Sequence, residues 1–169
     1  RDQVLLDDPL ATTRATLRLL DREILRRKRR MFPAGGSDSH ELYTRATLFV
    51  GARARTLEAL REGLLSGRVC TRAPDPCALS AYADHQPQRY GVGDAVTVHA
   101  ELTLRWPSSG ELFLDGSSIG EFTDEVTLRI PPDGCHLIRL HLAGGFSGPL
   151  YVNCPFAELP MSHAANPWR

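Results

Sequence analysis

Apolar residues fall at helical spacing early in the chain. In "LATTRATLRLLDREILRRKRR", Leu17, Leu20, Ile24 and Leu25 recur every three or four positions, the period of a helix with one buried face. Thr12 or Thr13 can cap its start. Its last turn carries the cations Arg26 to Arg30, where positive charge meets the negative end of the helix dipole. A phosphate- or nucleic-acid-binding patch is the alternative reading of that run. A short strand-like piece, "MFPAGG", follows, and then the apolar run "ATLFVGA". "RTLEALREGLLSGRV" predicts a second helix, with Leu57, Leu60, Leu64 and Leu65 on one face and Gly67 as its stop. The proline-containing stretch from 71 to 94 reads as a crossover between domains.

Beyond it the period changes to two. Val96, Val98, Ala100, Leu102, Leu104 and Trp106 alternate with Thr97, His99, Glu101, Thr103 and Arg105, as a strand with one buried face does. "GELFLDG", "EVTLRI", "CHLIRLHL" and "PLYVNC" follow at short spacing between Pro, Gly and Asp turns. Five strands with no helix between them predict an antiparallel sandwich. The chain is therefore expected to be α/β over residues 1–90 and an all-β sandwich domain over residues 91–169.

Composition narrows the function classes. Twenty basic and twenty acidic side chains cancel, and a neutral chain lacks the net basic surface of a nucleic-acid binder. No apolar run approaches the roughly 20 residues of a membrane span. "RDQVLLDDPL" has no signal-peptide pattern, which favours a cytoplasmic protein. It also begins without a methionine, which suggests a natural start further upstream. The four cysteines form no C-x-x-C pair. Two disulfides are possible by count, but a chain of 169 residues can build a core without them, so buried free thiols are expected, Cys135 and Cys154 among them.

The candidate chemistry centres on "PAGGSDSH". Asp38 and His40 stand two positions apart behind Gly35 and Gly36. In extended backbone that spacing turns both side chains to one side. A carboxylate and an imidazole suit zinc, manganese or iron; a polar turn is the alternative. Of Arg45, Arg53 and Arg55, Arg45 stands nearest the pair and could bind a substrate phosphate. Other candidates are weaker. His99 and His141 read as surface or rim residues, and His85 beside Asp84 as part of a loop. His136 reads as structural, and His163 lies in the tail. Cys70 and Cys77 have no base near them in sequence, "GGSDSH" is not a serine-nucleophile elbow, and "AGGFSG" precedes no helix as a phosphate loop would.

One order of motifs ties these segments together. Gly36, Ser37, Asp38 and His40 come first, then Arg45 and Thr47 before "LFV". Leu60, Arg61, Gly67 and Arg68 follow, and Gly93-Asp94 opens the β region. Over roughly residues 17 to 142 this order resembles the PHP (polymerase and histidinol phosphatase) superfamily of metal-dependent hydrolases, in particular its CehA/McbA-type branch. The resemblance implies a distorted (β/α)₇ barrel, of which this chain holds a late segment. It implies divalent metal ions with Asp38 and His40 among the ligands, Arg45 as a substrate contact, and phosphoester hydrolysis of a small-molecule substrate. The family's early H-x-H strand and its other ligands have no counterpart here. The missing N-terminal barrel part would come from the same polypeptide or from a partner chain. The alternative is a non-catalytic β-sandwich binding module or subunit carrying a remnant of the barrel.

Overall fold

The computed structural model describes residues 9–31, 48–71 and 74–158. The chain enters as helix α1 (Pro9–Arg27), then β1 (Leu48–Val50), α2 (Leu57–Leu65) and β2 (Val69–Thr71). A 3₁₀ turn (Asp75–Ala78) leads to β3 (Ser80–Ala83), β4 (Tyr90–Gly91) and β5 (Ala95–Val96). The long strands β6 (Glu101–Leu114) and β7 (Ser117–Arg129) follow, then β8 (His136–Leu142), β9 (Gly145–Ser147), β10 (Leu150–Val152) and the short helix α3 (Pro155–Glu158).

All these strands join one sheet with the path β1-β2-β9-β8-β6-β3-β4. Strand β6 is its spine. One edge of β6 carries β7; the other carries β3 along residues 102–105 and β8 along residues 111–114. The change of partner coincides with a register shift between Arg105 and Ser109, across Pro107, which has no N–H to give to a ladder. The bend curls the sheet into a half-barrel.

This overturns the expectation of a (β/α)₇ barrel segment followed by a two-sheet sandwich. A parallel unit requires the chain to return to the start of the strand it left. Here it returns to the end. Gly63 and Leu64 accept from Arg68 and Gly67 N–H at 3.0 Å each, a Schellman closure with Gly67 at φ 76°. Gly51 then donates to the Arg68 carbonyl at 2.7 Å. So β2 runs back antiparallel to β1, pairing Val50 with Val69. Strands on either side of residue 90 also pair, β2 with β9 and β3 with β6.

The core fills both sides of the sheet. Inside the curl lie Leu79, Ala81, Val96, Val98, Leu102, Leu104, Trp106, Leu112, Ile138, Leu140, Leu150 and Val152. The inward parity expected for Val96, Val98, Leu102, Leu104 and Trp106 therefore holds; each is at most 5% exposed. On the other side α1 covers the sheet. Leu17 meets Phe113 and Phe146, and Ile24 meets Leu137 and Tyr151. Helix α2 departs from its expected role: Leu57, Leu60 and Leu65 are 76%, 41% and 39% exposed. It is capped by the Thr56 hydroxyl, which accepts from Ala59 N–H. Its seat on the sheet is Gly63, where an added Cβ would stand 2.7 Å from the Gly51 carbonyl oxygen.

The cysteines are paired, Cys70 with Cys77 and Cys135 with Cys154. This corrects the free-thiol expectation. The reason is topological. Strands β8 and β10 are antiparallel neighbours with His136 opposite Val152, which sets residues 135 and 154, on their flanks, side by side.

Candidate functional site

Asp38, His40 and Arg45 lie outside the described residues. The structure does describe what holds the two ends of the segment that carries them. At the entry, Arg30 leaves the helix run and spreads its guanidinium over three backbone carbonyls. Nη1 donates to Ser66 and Gly93 at 3.0 and 2.7 Å; Nε and Nη2 both donate to Ala157. The group also stands 5.1 Å from the centre of the Tyr151 ring. The Tyr151 hydroxyl donates to the Met31 carbonyl at 3.0 Å. At the exit, Leu48 pairs with Thr71. The described residues that flank 32–47, Met31 and Leu48, are thus both held by the sheet.

As a donor set, one carboxylate and one imidazole suit a divalent metal, but a catalytic site needs at least three protein ligands. Among the described residues no three His, Cys, Asp or Glu side chains gather to hold an ion.

The sheet itself carries a row of polar side chains. Register sets Glu121 of β7 opposite Glu111 of β6, and Glu111 opposite His141 of β8. These three line a cleft of about 430 Å³ with Arg14, Ser109 and Ser118. Both oxygens of Glu111 are engaged: Oε2 accepts from Arg14 at 2.6 Å and Oε1 from Ser118 at 2.7 Å. His141 Nδ1 stands 3.6 Å from the same carboxylate, and its ring stacks on Phe146 at 4.4 Å. A carboxylate held by a guanidinium and a hydroxyl is a structural anchor for α1 more than a proton acceptor for substrate.

Of the other histidines, His163 lies outside the described residues, and His99, expected in a strand, sits between β5 and β6. His85 is exposed in the loop after β3, 3.3 Å from Glu101. His99 is exposed, and its neighbourhood is organised by Asp84. That carboxylate accepts the backbone N–H groups of His99, Ala100 and Glu101 at 2.8 to 3.0 Å. These bonds hold its pKa below the usual carboxylate value. His136 is structural, with Nδ1 2.8 Å from Asp115.

Two groups escaped the sequence reading. Asp21 on α1 and Arg139 on β8 form an ion pair that is 0% and 1% exposed. Asp21 sits on the same face as Leu17 and Ile24, and Arg139 on the same face of β8 as Leu137. Apolar periodicity marks both faces as buried and gives no sign that a charge pair sits within them. Burial raises the Asp21 pKa, against the opposing pull of the Arg139 charge and its hydrogen bonds. The second missed group is Arg30, read as one more cation in a dipole-facing cluster. Among the described residues no helix is long and apolar enough to cross a membrane. Set against family models, curated proteins and solved structures, the chain matches none of them.

Proposed function

We propose that this chain contributes Asp38 and His40 to a composite metal site in a metal-dependent hydrolase, with a phosphoester as the substrate class. The other ligands and the early H-x-H strand would come from a part of the enzyme beyond these residues. The curled β-sheet is then the scaffold that carries the two ligands. The observation that supports this reading is the anchoring of the described residues that flank 32–47, through Tyr151 and Arg30 on one side and the Leu48–Thr71 pair on the other. A ligand pair must be held to well within an ångström for a metal to keep its geometry. The motif order from Gly36 to Asp94 gives the reading its reaction class.

A second reading has its own observation. Leu57, Leu60 and Leu65 of α2 are exposed, and an apolar helix face open to water is a contact surface. On that reading the chain is a non-catalytic module that works through a partner seated on α2. The two disulfides favour an oxidising compartment for either reading, against the cytoplasm that the N-terminal sequence suggested.

The test is His40→Ala in the polypeptide that contains both this chain and the H-x-H strand, assayed for metal by plasma mass spectrometry and for phosphoesterase rate. The expected result is loss of at least one metal ion and of several orders of magnitude in rate, because a metal of this kind supplies the hydroxide nucleophile. The melting temperature should stay near that of the parent. Unchanged metal occupancy would return Asp38 and His40 to a polar turn and leave the contact-module reading standing.

A further inference from the structure

Three arginines remote in sequence meet at one corner of the sheet. Arg30 follows α1, Arg68 follows α2, and Arg89 lies in the loop between β3 and β4; all three line a cavity of about 300 Å³ together with Gln88, Tyr90 and Asp94. From this convergence we propose that the cavity is a binding site for a small phosphate-bearing anion, independent of any metal and of the hydrolase reading.

The charge balance is the first argument. Three guanidiniums face one lining carboxylate, Asp94, which already accepts the Gly91 N–H at 2.8 Å; Glu62, outside the lining, pairs with Arg68 alone among the three at 2.9 Å. Arg30 is partly buried, yet every acceptor it has among the described residues is a neutral carbonyl. A partly desolvated cation with no direct carboxylate partner is costly. Burial lowers the Arg30 pKa, against the opposing pull of Tyr151 and Asp94, and the nearby Arg68 charge adds to the lowering. An anion in the cavity would supply what the protein does not.

Donor capacity is the second. Arg89 is exposed and, among the described residues, donates only through Nε, to Ser80 at 2.9 Å. Its two Nη groups remain for a ligand. Arg68 uses Nη2 on Glu62 at 2.9 Å and at 3.5 Å on Ser66, which leaves Nε and Nη1. Tyr90 and Gln88 complete the lining. Guanidinium forks match phosphate oxygens in pairs. Free guanidinium donors on two separate segments, beside the charge of Arg30, suit a tetrahedral group with several oxygens better than a planar carboxylate, which one fork already saturates. The volume admits a phosphate with a small organic substituent and sits at the lower end of ligand-pocket sizes.

The experiment is a calorimetric and ¹⁵N-NMR titration of the chain with phenyl phosphate, inorganic phosphate and acetate, at fixed ionic strength and in excess EDTA. The expected result is saturable binding of both phosphates, far weaker binding of acetate, and shifts confined to the cavity. Arg89→Gln and Arg68→Gln should each weaken phenyl phosphate by at least about tenfold, the loss of charge-assisted hydrogen bonds. Arg105→Gln, an exposed arginine paired with Glu125 on the sheet, should leave it unchanged. Arg89 is exposed, so its variant should fold; a melting temperature near that of the parent confirms this before titration. Equal binding by the parent and the two cavity variants would overturn the proposal. So would equal response to phosphate and acetate, or phosphate binding that EDTA abolishes. The metal reading has a separate fate: loss of metal binding at His40→Ala with phosphate binding intact would uphold both, and unchanged metal with intact phosphate binding would uphold only the cavity.

Discussion

Removing Asp21 should reveal how α1 is held to the sheet. In the native fold Asp21 Oδ1 accepts from Arg139 Nε at 2.8 Å and Nη2 at 2.6 Å, while Arg139 Nη1 donates to the Ser147 carbonyl at 3.1 Å. Ser147 Oγ in turn accepts the Leu140 N–H at 2.9 Å, so the network joins α1, β8 and β9. Asp21→Ala takes away two of the three hydrogen bonds of a guanidinium that is 1% exposed and leaves its charge uncompensated. Breaking a buried pair from one side costs about 3–5 kcal/mol. For a domain of this size each kcal/mol moves the melting temperature by about 2–4 °C, so a fall of roughly 6–20 °C is expected. The assay is urea denaturation followed by circular dichroism. The double replacement Asp21→Leu with Arg139→Met separates charge from packing. It removes both charges together, and comparable replacements elsewhere have been neutral or stabilising, so it should recover most of the loss. A single variant within about 1 kcal/mol of the parent would refute the reasoning. A double variant as unstable as the single one would also refute it, because the deficit would then lie in packing. The pH dependence has a definite sign. Burial raises the folded-state pKa of Asp21, so the stability tied to its protonation is full below the ordinary carboxylate value and is lost as pH rises through the folded one. Acidification does not weaken the fold through this residue.

Asp84 has the opposite sign. Its folded-state pKa is lowered by backbone N–H donors, so its contribution is present above the ordinary carboxylate value and disappears as pH falls through the folded one. Asp84→Ala should cost about 1–2 kcal/mol at pH 7 and flatten the acid limb of the stability curve; an unchanged limb would refute the assignment. Asp84→Asn should cost less, because Asn tolerates the left-handed φ of 47° found there. The disulfides should each contribute about 2–3 kcal/mol by closing short loops in the unfolded chain. Urea midpoints with and without reductant measure the sum, and alkylation of any cysteine in unreduced protein would overturn the pairing. Gly63→Ala should destabilise by about 1–3 kcal/mol despite the better helix propensity of Ala. Its Cβ would stand 2.7 Å from the Gly51 oxygen and 2.9 Å from Val50 Cγ1; a higher melting temperature would refute this seat for α2.

Much of the fold was legible because burial on one face writes a period into the sequence. Leu17 and Ile24 are buried where the helical period put them, and Val96, Val98, Leu102, Leu104 and Trp106 point inward as the two-residue period required, although the strand is interrupted between β5 and β6 and Ala100 is exposed. Partners are another matter. A period identifies an element and its buried side but not its neighbour. "LFV" followed by a helix and "VCT" has the same local pattern whether β2 returns parallel or antiparallel to β1. The Gly51–Arg68 hydrogen bond decides it, and that depends on the chain reversing at Gly67. The leucines of α2 mislead for a related reason. Helical spacing of apolar residues marks a face fit to be covered, and Leu57, Leu60 and Leu65 lack a cover among the described residues. The cysteines repeat the lesson: spacings of 7 and 19 carry no pairing rule until the β8–β10 register sets two of them side by side.

The chemistry was less legible than the fold because a charged side chain takes its role from its acceptor. The run Arg26 to Arg30 illustrates this within five residues. Arg26 and Arg27 turn back to Glu23 one turn earlier, at 2.6 and 2.7 Å. There they hold the Glu23 pKa down to about 2. These are local pairs at helical spacing, and sequence can find them. Arg30 lies past the last turn, and its acceptors are the carbonyls of Ser66, Gly93 and Ala157, between 36 and 127 residues away. Backbone carbonyls belong to every residue, so no choice of side chain at those positions signals the contact. The same holds for the meeting of Arg30 with Arg68 and Arg89. Each has a plain local reading, and only the curl of the sheet brings the three charges to one cavity. Where like charges are gathered by the fold at a cost, something of opposite charge is expected to be gathered with them.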